Sequence, residues 1–167
     1  MLPTVRNILF AAGLGNDTCY VLAHALSLAQ QYGAKIHIIH SHEALNINDQ
    51  NLAEIYMLQE GVEDAFEKSQ LDSKEKVRGH LEEICQRVLA AHAAPAELIT
   101  DIQVSRYAPK AAILAAAEKS AAELIVMGSH RHFVLDDALL GSTTMKILHS
   151  AKIPVMVVRI PEDVPAV

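Results

Sequence analysis

Five short runs of β-branched and other apolar residues recur along the chain with helical patterns between them, and that alternation leaves few folds open. The runs are NILFAA (7–12), KIHIIHS (35–41), LITDIQV (98–104), LIVMG (124–128) and PVMVVR (154–159). Each has the length of a strand and is too short for a helix. After the first, Val21, Leu22, Ala25, Leu26, Leu28 and Ala29 recur at three-to-four spacing, Asn16 or Asp17 is placed to cap the start, and Gly33 to end it. Two further sets, Ile55, Leu58, Val62 and Phe66, then Val77, Leu81, Ile84, Cys85, Val88 and Leu89, predict one long helix or two consecutive ones over 51–92, kinked or split near Asp72. Pro109 opens another helical stretch, and a last one runs from Ser142 to about Ser150, with Lys146, His149 and Lys152 where the macrodipole favours positive charge. Strands alternating with helices require parallel pairing through right-handed crossovers. The expected class is α/β: one doubly wound, Rossmann-like sheet with helices on both faces.

A length of 167 residues suits a single domain spanning 1–167, with a weakly patterned excursion at 43–57 and a Pro-containing tail at 160–167. Apolar residues make up 51% but aromatics only 4%, so Ala, Val, Ile and Leu must fill the core, as they do where helices pack on a parallel sheet. The formal charge is −6 and the 14 basic residues are scattered, which excludes the basic footprint of a nucleic-acid binder. Cys19 and Cys85 have no C-x-x-C partner and read as reduced, buried thiols. The N-terminal apolar run is too short for a secretory core, and no run reaches the roughly 18 apolar residues of a membrane span. The expectation is a cytoplasmic protein without a membrane partner.

In a doubly wound sheet a ligand binds at the carboxyl ends of the strands, here AAGLGND, HSHEALN and MGSHRH. Gly128 follows a buried strand, where it lets the chain turn sharply. Gly141, 13 residues on, precedes Ser142 and Thr143 at a helix start, whose free N–H groups and hydroxyls attract anions. A plain helix cap accounts for Gly141 and Ser142 equally well. Between the glycines stand His130, Arg131, His132, Asp136 and Asp137. His40, His42, His130 and His132 would gather four imidazoles at one edge, but with no cysteine or close carboxylate to complete a tetrahedral set, surface histidines are the better account. GLGNDT with Glu43 is an incomplete dinucleotide fingerprint, since Thr18 stands where a third glycine belongs. No Walker lysine follows either glycine pair and no nucleophile, base and orienting acid assemble, so no enzymatic step is expected.

The order of elements, with NILFAAGLGND opening the chain, AELIVMGSH late in it, then Gly141 with Ser142 and KILHSAKIPVMVVR, resembles the universal stress protein family over nearly the full length. The resemblance implies an adenine nucleotide alpha hydrolase-like sheet of order 3-2-1-4-5 and a regulatory or protective role under stress. It also implies a homodimer paired through the last strand, Pro154 to Ile160, and partner binding. That family's signature is a glycine, two residues, a second glycine, nine residues, then a third glycine followed by Ser or Thr, which holds the phosphates of ATP. Gly128, Gly141 and Ser142 fit it; Arg131 replaces the middle glycine and Gly13 the family's usual Asp. By resemblance, ATP or AMP would meet Ala12, Gly13, Ser41, Met127, Gly128, His130, Arg131, Gly141, Ser142 and Thr143. If Arg131 withholds two backbone N–H groups, binding weakens by about 10²- to 10⁴-fold; as a bidentate phosphate ligand it offsets that loss. Both a nucleotide-binding module and a non-nucleotide interaction protein are consistent with the sequence, with a slow ATPase behind them.

Overall fold

The computed structural model describes residues 1–15, 17–41, 62–129, 140–161 and 163, with backbone alone for 62–73. The excursion at 43–57, His42, Glu43, His130, Arg131, His132, Asp136, Asp137 and most of the tail lie outside the described residues. The strands are β1 (Asn7–Ala11), β2 (Lys35–Ser41), β3 (Ile99–Ser105), β4 (Leu124–Gly128) and β5 (Val155–Val158). All pair in parallel in the order β3-β2-β1-β4-β5, as the resemblance implied. The helices are α1 (Thr18–Tyr32), α2 (Val62–Ala91), α3 (Pro109–Lys119) and α4 (Ser142–Ser150), and a 3₁₀ turn at Ala96–Leu98 leads into β3.

Strand periodicity sorts the core into two layers. Ile8, Phe10, Ile36, Ile38 and Val126 point to one side, where Val21, Leu22, Ala25 and Leu26 of α1 and Leu81, Ile84, Cys85 and Val88 of α2 meet them. Leu9, Ile39, Ile125 and Met127 point to the other, against Ala112, Ile113, Ala116 and Ala117 of α3 and Ile147 of α4. Each fully buried Leu, Ile or Phe contributes about 1.5–3 kcal/mol of apolar burial, so the strands carry apolar residues on both faces. Of the two forms the sequence allowed, the described part of this segment takes the single long helix: α2 is continuous through Asp72, and residues 51–61 lie outside the described residues. Asp, Ser and Lys lower helix propensity only modestly, and the packed stripe from Val77 to Leu89 supports continuation. Gly33 ends α1 in the left-handed conformation, φ 65°.

One irregularity positions polar groups. In the β2–β3 ladder Ile36 faces Ile99 but His37 faces Asp101, so Thr100 is an extra residue on β3. The bulge sets Asp101 beside His37 Nδ1, and the ring's other nitrogen lies 3.3 Å from Asn7 Oδ1 on β1. Gln103 Nε2 donates to the second oxygen of Asp101. Three neighbouring strands are thus tied at the amino end of the sheet. Both thiols are buried and free; burial, then the charge of Glu82, push the Cys85 thiol up to about 12, so it stays protonated and packs as a small hydrophobe.

Candidate functional site

The chain leaves β1 toward β2 but crosses back to place β4 on the other side, so the winding reverses between β1 and β4. A cleft of about 390 Å³ opens at their carboxyl ends. Its floor is Phe10, Ala12, Ile39 and Met127, and Pro109 and Ile113 of α3 wall one side. Two helices begin at its rim, α1 with Thr18 and α4 with Thr143. Each brings the positive end of a macrodipole and the free N–H groups of a first turn.

The rim on the β1–β2 side is held by backbone contacts. Ala12 N–H donates to the Ile39 carbonyl at 2.9 Å, and His40 Nδ1 lies 2.8 Å from the Ala12 carbonyl. A carbonyl only accepts, so Nδ1 carries the proton in that bond. Ser41 Oγ donates to the Tyr107 carbonyl at 2.6 Å, joining β2 to the loop before α3. His40 is therefore half-buried and engaged with the backbone, not a loose surface histidine. Among the described residues no three His, Cys, Asp or Glu side chains converge on a metal position.

On the β4 side the structure corrects the part assigned to Gly128. It is the last residue of β4, and Gly33 is the described glycine with positive φ, so Gly128 does not supply a sharp turn. A β-carbon there would stand 2.9 Å from Val21 Cγ2 and 3.1 Å from Ile160 Cδ1. Its bare face makes room for α1 and for the chain beyond β5. Ile160 is held by its N–H, which donates to Ser129 Oγ at 3.2 Å, while Ser129 N–H donates to the Val158 carbonyl at 2.9 Å.

Of the residues anticipated for the site, Ala12, Gly13, Ser41, Met127, Gly128 and Thr143 line this cleft. Gly141 and Ser142 head α4 without a side-chain cap, with the Gly141 carbonyl accepting the Met145 N–H at 3.0 Å. His130 and Arg131 lie outside the described residues. Asp17 and Ser129, which also line the cleft, belong to the strand-end stretches AAGLGND and MGSHRH, whereas Thr18, Val21 and Ile160 were missed. Thr18 carried a signal: it stands on the stripe of Leu22, Ala25 and Ala29, where an apolar residue is the rule.

A family model described as the universal stress protein family matches residues 4–159. A protein of Thermus aquaticus, the universal stress protein in the QAH/OAS sulfhydrylase 3′ region, is 30% identical over 154 residues, covering 92% of this chain and 98% of that one. The universal stress protein UspA from Lactobacillus plantarum superposes with a TM-score of 0.65 at 18% identity, over 95% of this chain and 100% of that one. A universal stress protein crystallised in complex with cAMP gives 0.63 at 17% identity, over 95% of this chain and 100% of that one. At such identities the superpositions speak for the fold, while the match over residues 4–159 and the Thermus relative speak for descent. The chain belongs to the universal stress protein family.

Proposed function

We propose that this protein is a nucleotide-responsive regulatory or protective factor of the stress response, which binds an adenine nucleotide in the cleft and commits it to no chemical step. The observation that carries this is the convergence of two helix N-termini, those of α1 and α4, on one cleft at the reversal of the sheet. Its volume of about 390 Å³ lies in the range of small-molecule sites, and Ile39, Met127, Pro109 and Ile113 offer apolar walls to a base. The structural relative in complex with cAMP supports the same reading. Phosphates would lie toward Gly141, Ser142 and Thr143; His130 and Arg131, which the family resemblance adds to the site, lie outside the described residues. ATP and AMP are the proposed ligands.

β5 pairs with β4 on one side and is an edge strand, with Val155, Met156 and Val157 half-buried. An open apolar edge of this kind is an aggregation hazard, so we assign the surface from Pro154 to Ile160 to a homodimer, and the role to the cytoplasm. Among the described residues no helix is long and apolar enough to cross a membrane. A second reading, an interaction protein without a nucleotide, is favoured by Val21 and Ile160, which fill the space over Gly128.

The two readings separate when freshly purified protein is denatured and the released small molecules are analysed, followed by calorimetric titration with ATP, AMP and cAMP. The nucleotide reading expects released nucleotide or micromolar binding, and a raised 260/280 ratio because the chain has no Trp. No release and no binding up to millimolar concentration sinks it.

A further inference from the structure

The start of α1 leaves two polar groups beside the cleft without partners among the described residues. Thr18, the first residue of this 15-residue helix, is 3% exposed, and its Oγ1 makes no hydrogen bond among the described residues. Buried hydroxyls are nearly always paired; of the two unpaired ones among the described residues, Thr18 and Thr144, only Thr18 lines the cleft. It faces the missing side chain of Gly13, 3.4 Å from where a β-carbon would stand. Asp17, the residue before it, also lines the cleft, makes no cap bond to the helix, and enters no ion pair among the described residues. Its carboxylate folds back over Gly15, and a β-carbon at residue 15 would stand 2.6 Å from Oδ1. Glycine at 15 is what leaves the carboxylate that position.

The chemistry of the pair selects its ligand. An anion would satisfy Thr18 and the helix N-terminus but would meet the Asp17 charge. A cation would satisfy Asp17 but would face the positive end of α1. A neutral hydroxyl group accepts from Thr18 Oγ1 or donates to the Asp17 carboxylate, and two adjacent hydroxyls do both. We propose that Asp17 and Thr18 form a hydroxyl-binding subsite at the β1 rim that takes a vicinal diol of the ligand, such as that of a ribose. Access to Thr18 needs a small shift of the 13–15 loop, in which Gly13 and Gly15 carry no β-carbon. The subsite deepens the nucleotide reading and rests on it for the identity of the ligand, but its own chemistry asks for a polyol.

Calorimetry with ATP and 2′,3′-dideoxy-ATP, on the wild type, Thr18→Val, Asp17→Ala and Gly15→Ala, tests this. The wild type is expected to bind ATP about 10- to 100-fold more tightly than the dideoxy form. That ratio falls toward one in each variant, while Thr18→Val melts no lower than the wild type, which separates lost recognition from lost folding. Ribose 5-phosphate and 2-deoxyribose 5-phosphate are titrated in parallel, followed by NMR at the amides of Gly13 and Thr18. Equal affinity for ATP and its dideoxy form overturns the subsite and leaves the nucleotide site standing. If ATP does not bind but ribose 5-phosphate shifts those amides and the deoxy sugar does not, the subsite holds and the nucleotide reading fails. No response to ATP or to either sugar phosphate overturns both.

Discussion

The two ends of the sheet treat their polar groups differently. At the amino end the groups are paired: Glu123 accepts the N–H groups of Arg6 and Asn7 at 2.7 and 2.8 Å, His37 bridges Asp101 and Asn7, Gln103 completes Asp101, and Lys35 Nζ donates to the Glu97 carbonyl at 2.8 Å. At the carboxyl end His40, Ser41 and Ser129 are paired as well, but among the described residues Thr18 Oγ1 is buried and unpaired and Asp17 has no ion-pair partner. A pairing left unmade costs stability. The amino end is therefore built for holding strands together, and the carboxyl end keeps unspent hydrogen-bonding capacity where the winding reverses.

The comparison breaks most sharply where the cleft end is tightly packed. Gly128→Val would drive a β-branched side chain into Val21 and Ile160, whose nearest atoms stand 2.9 and 3.1 Å from the new β-carbon. The expected loss is about 2–3 kcal/mol, read as a lower urea midpoint at unchanged m. At the other end Asp101→Ala leaves the half-buried His37 and Gln103 without their acceptor. About 1–2 kcal/mol should be lost there, with no change in ligand binding at the distant cleft. Equal effects of both substitutions on binding would erase the distinction between the ends.

How much of this was legible follows from which physical signals are local. Strand and helix periods are local, so the five strands, the start of α4 at Ser142 and the stop of α1 at Gly33 could be read from residue spacing. The position of the cleft follows from the sheet order, which the family resemblance supplied. The extra residue Thr100 was not legible, because a bulge is set by pairing with β2 and leaves no mark in the strand's own sequence. Nor was Ile160, which follows the last strand and reaches the cleft through one hydrogen bond to Ser129, 31 residues earlier. Gly128 was read correctly as a position that needs glycine, but for the wrong reason. Its close neighbours come from α1 and the tail, and no local pattern points to them.

A smaller effect, of opposite sign, sharpens the contrast within the cleft end itself. Thr18 and Thr144 both bury a hydroxyl that is unpaired among the described residues, at 3% and 0% exposure, but Thr18 lines the cleft and Thr144 is not among the residues that line it. Replacing either by Val keeps the shape and removes the unpaired group, so each variant should gain up to about 1 kcal/mol. Thermal melts of the two should rise together, whereas titration should find binding weakened in Thr18→Val alone. If Thr144→Val weakens binding as much, the unpaired hydroxyls are packing compromises and not reserved for a ligand.

The smallest effect belongs to Glu123 and reads out in pH. Hydrogen bonds from the Asn7 and Arg6 N–H groups, aided by the Arg6 charge and opposed by slight burial, hold its carboxyl below the ordinary value of 4.5. A carboxyl depressed in the folded state binds its proton less readily than in the unfolded chain. Its contribution to stability is therefore fully present above about pH 4.5 and is lost as the pH falls through the lower folded-state value. Other carboxylates titrate in the same window, so the quantity to measure is the difference between wild type and Glu123→Gln in urea midpoints at pH 7 and below pH 4. Glutamine can still accept through its amide oxygen but cannot gain the proton. The stability advantage of the wild type should shrink on acidification. A difference that does not vary with pH would mean that the paired amino end is held by the geometry of the two N–H contacts alone, with the charge on Glu123 contributing nothing.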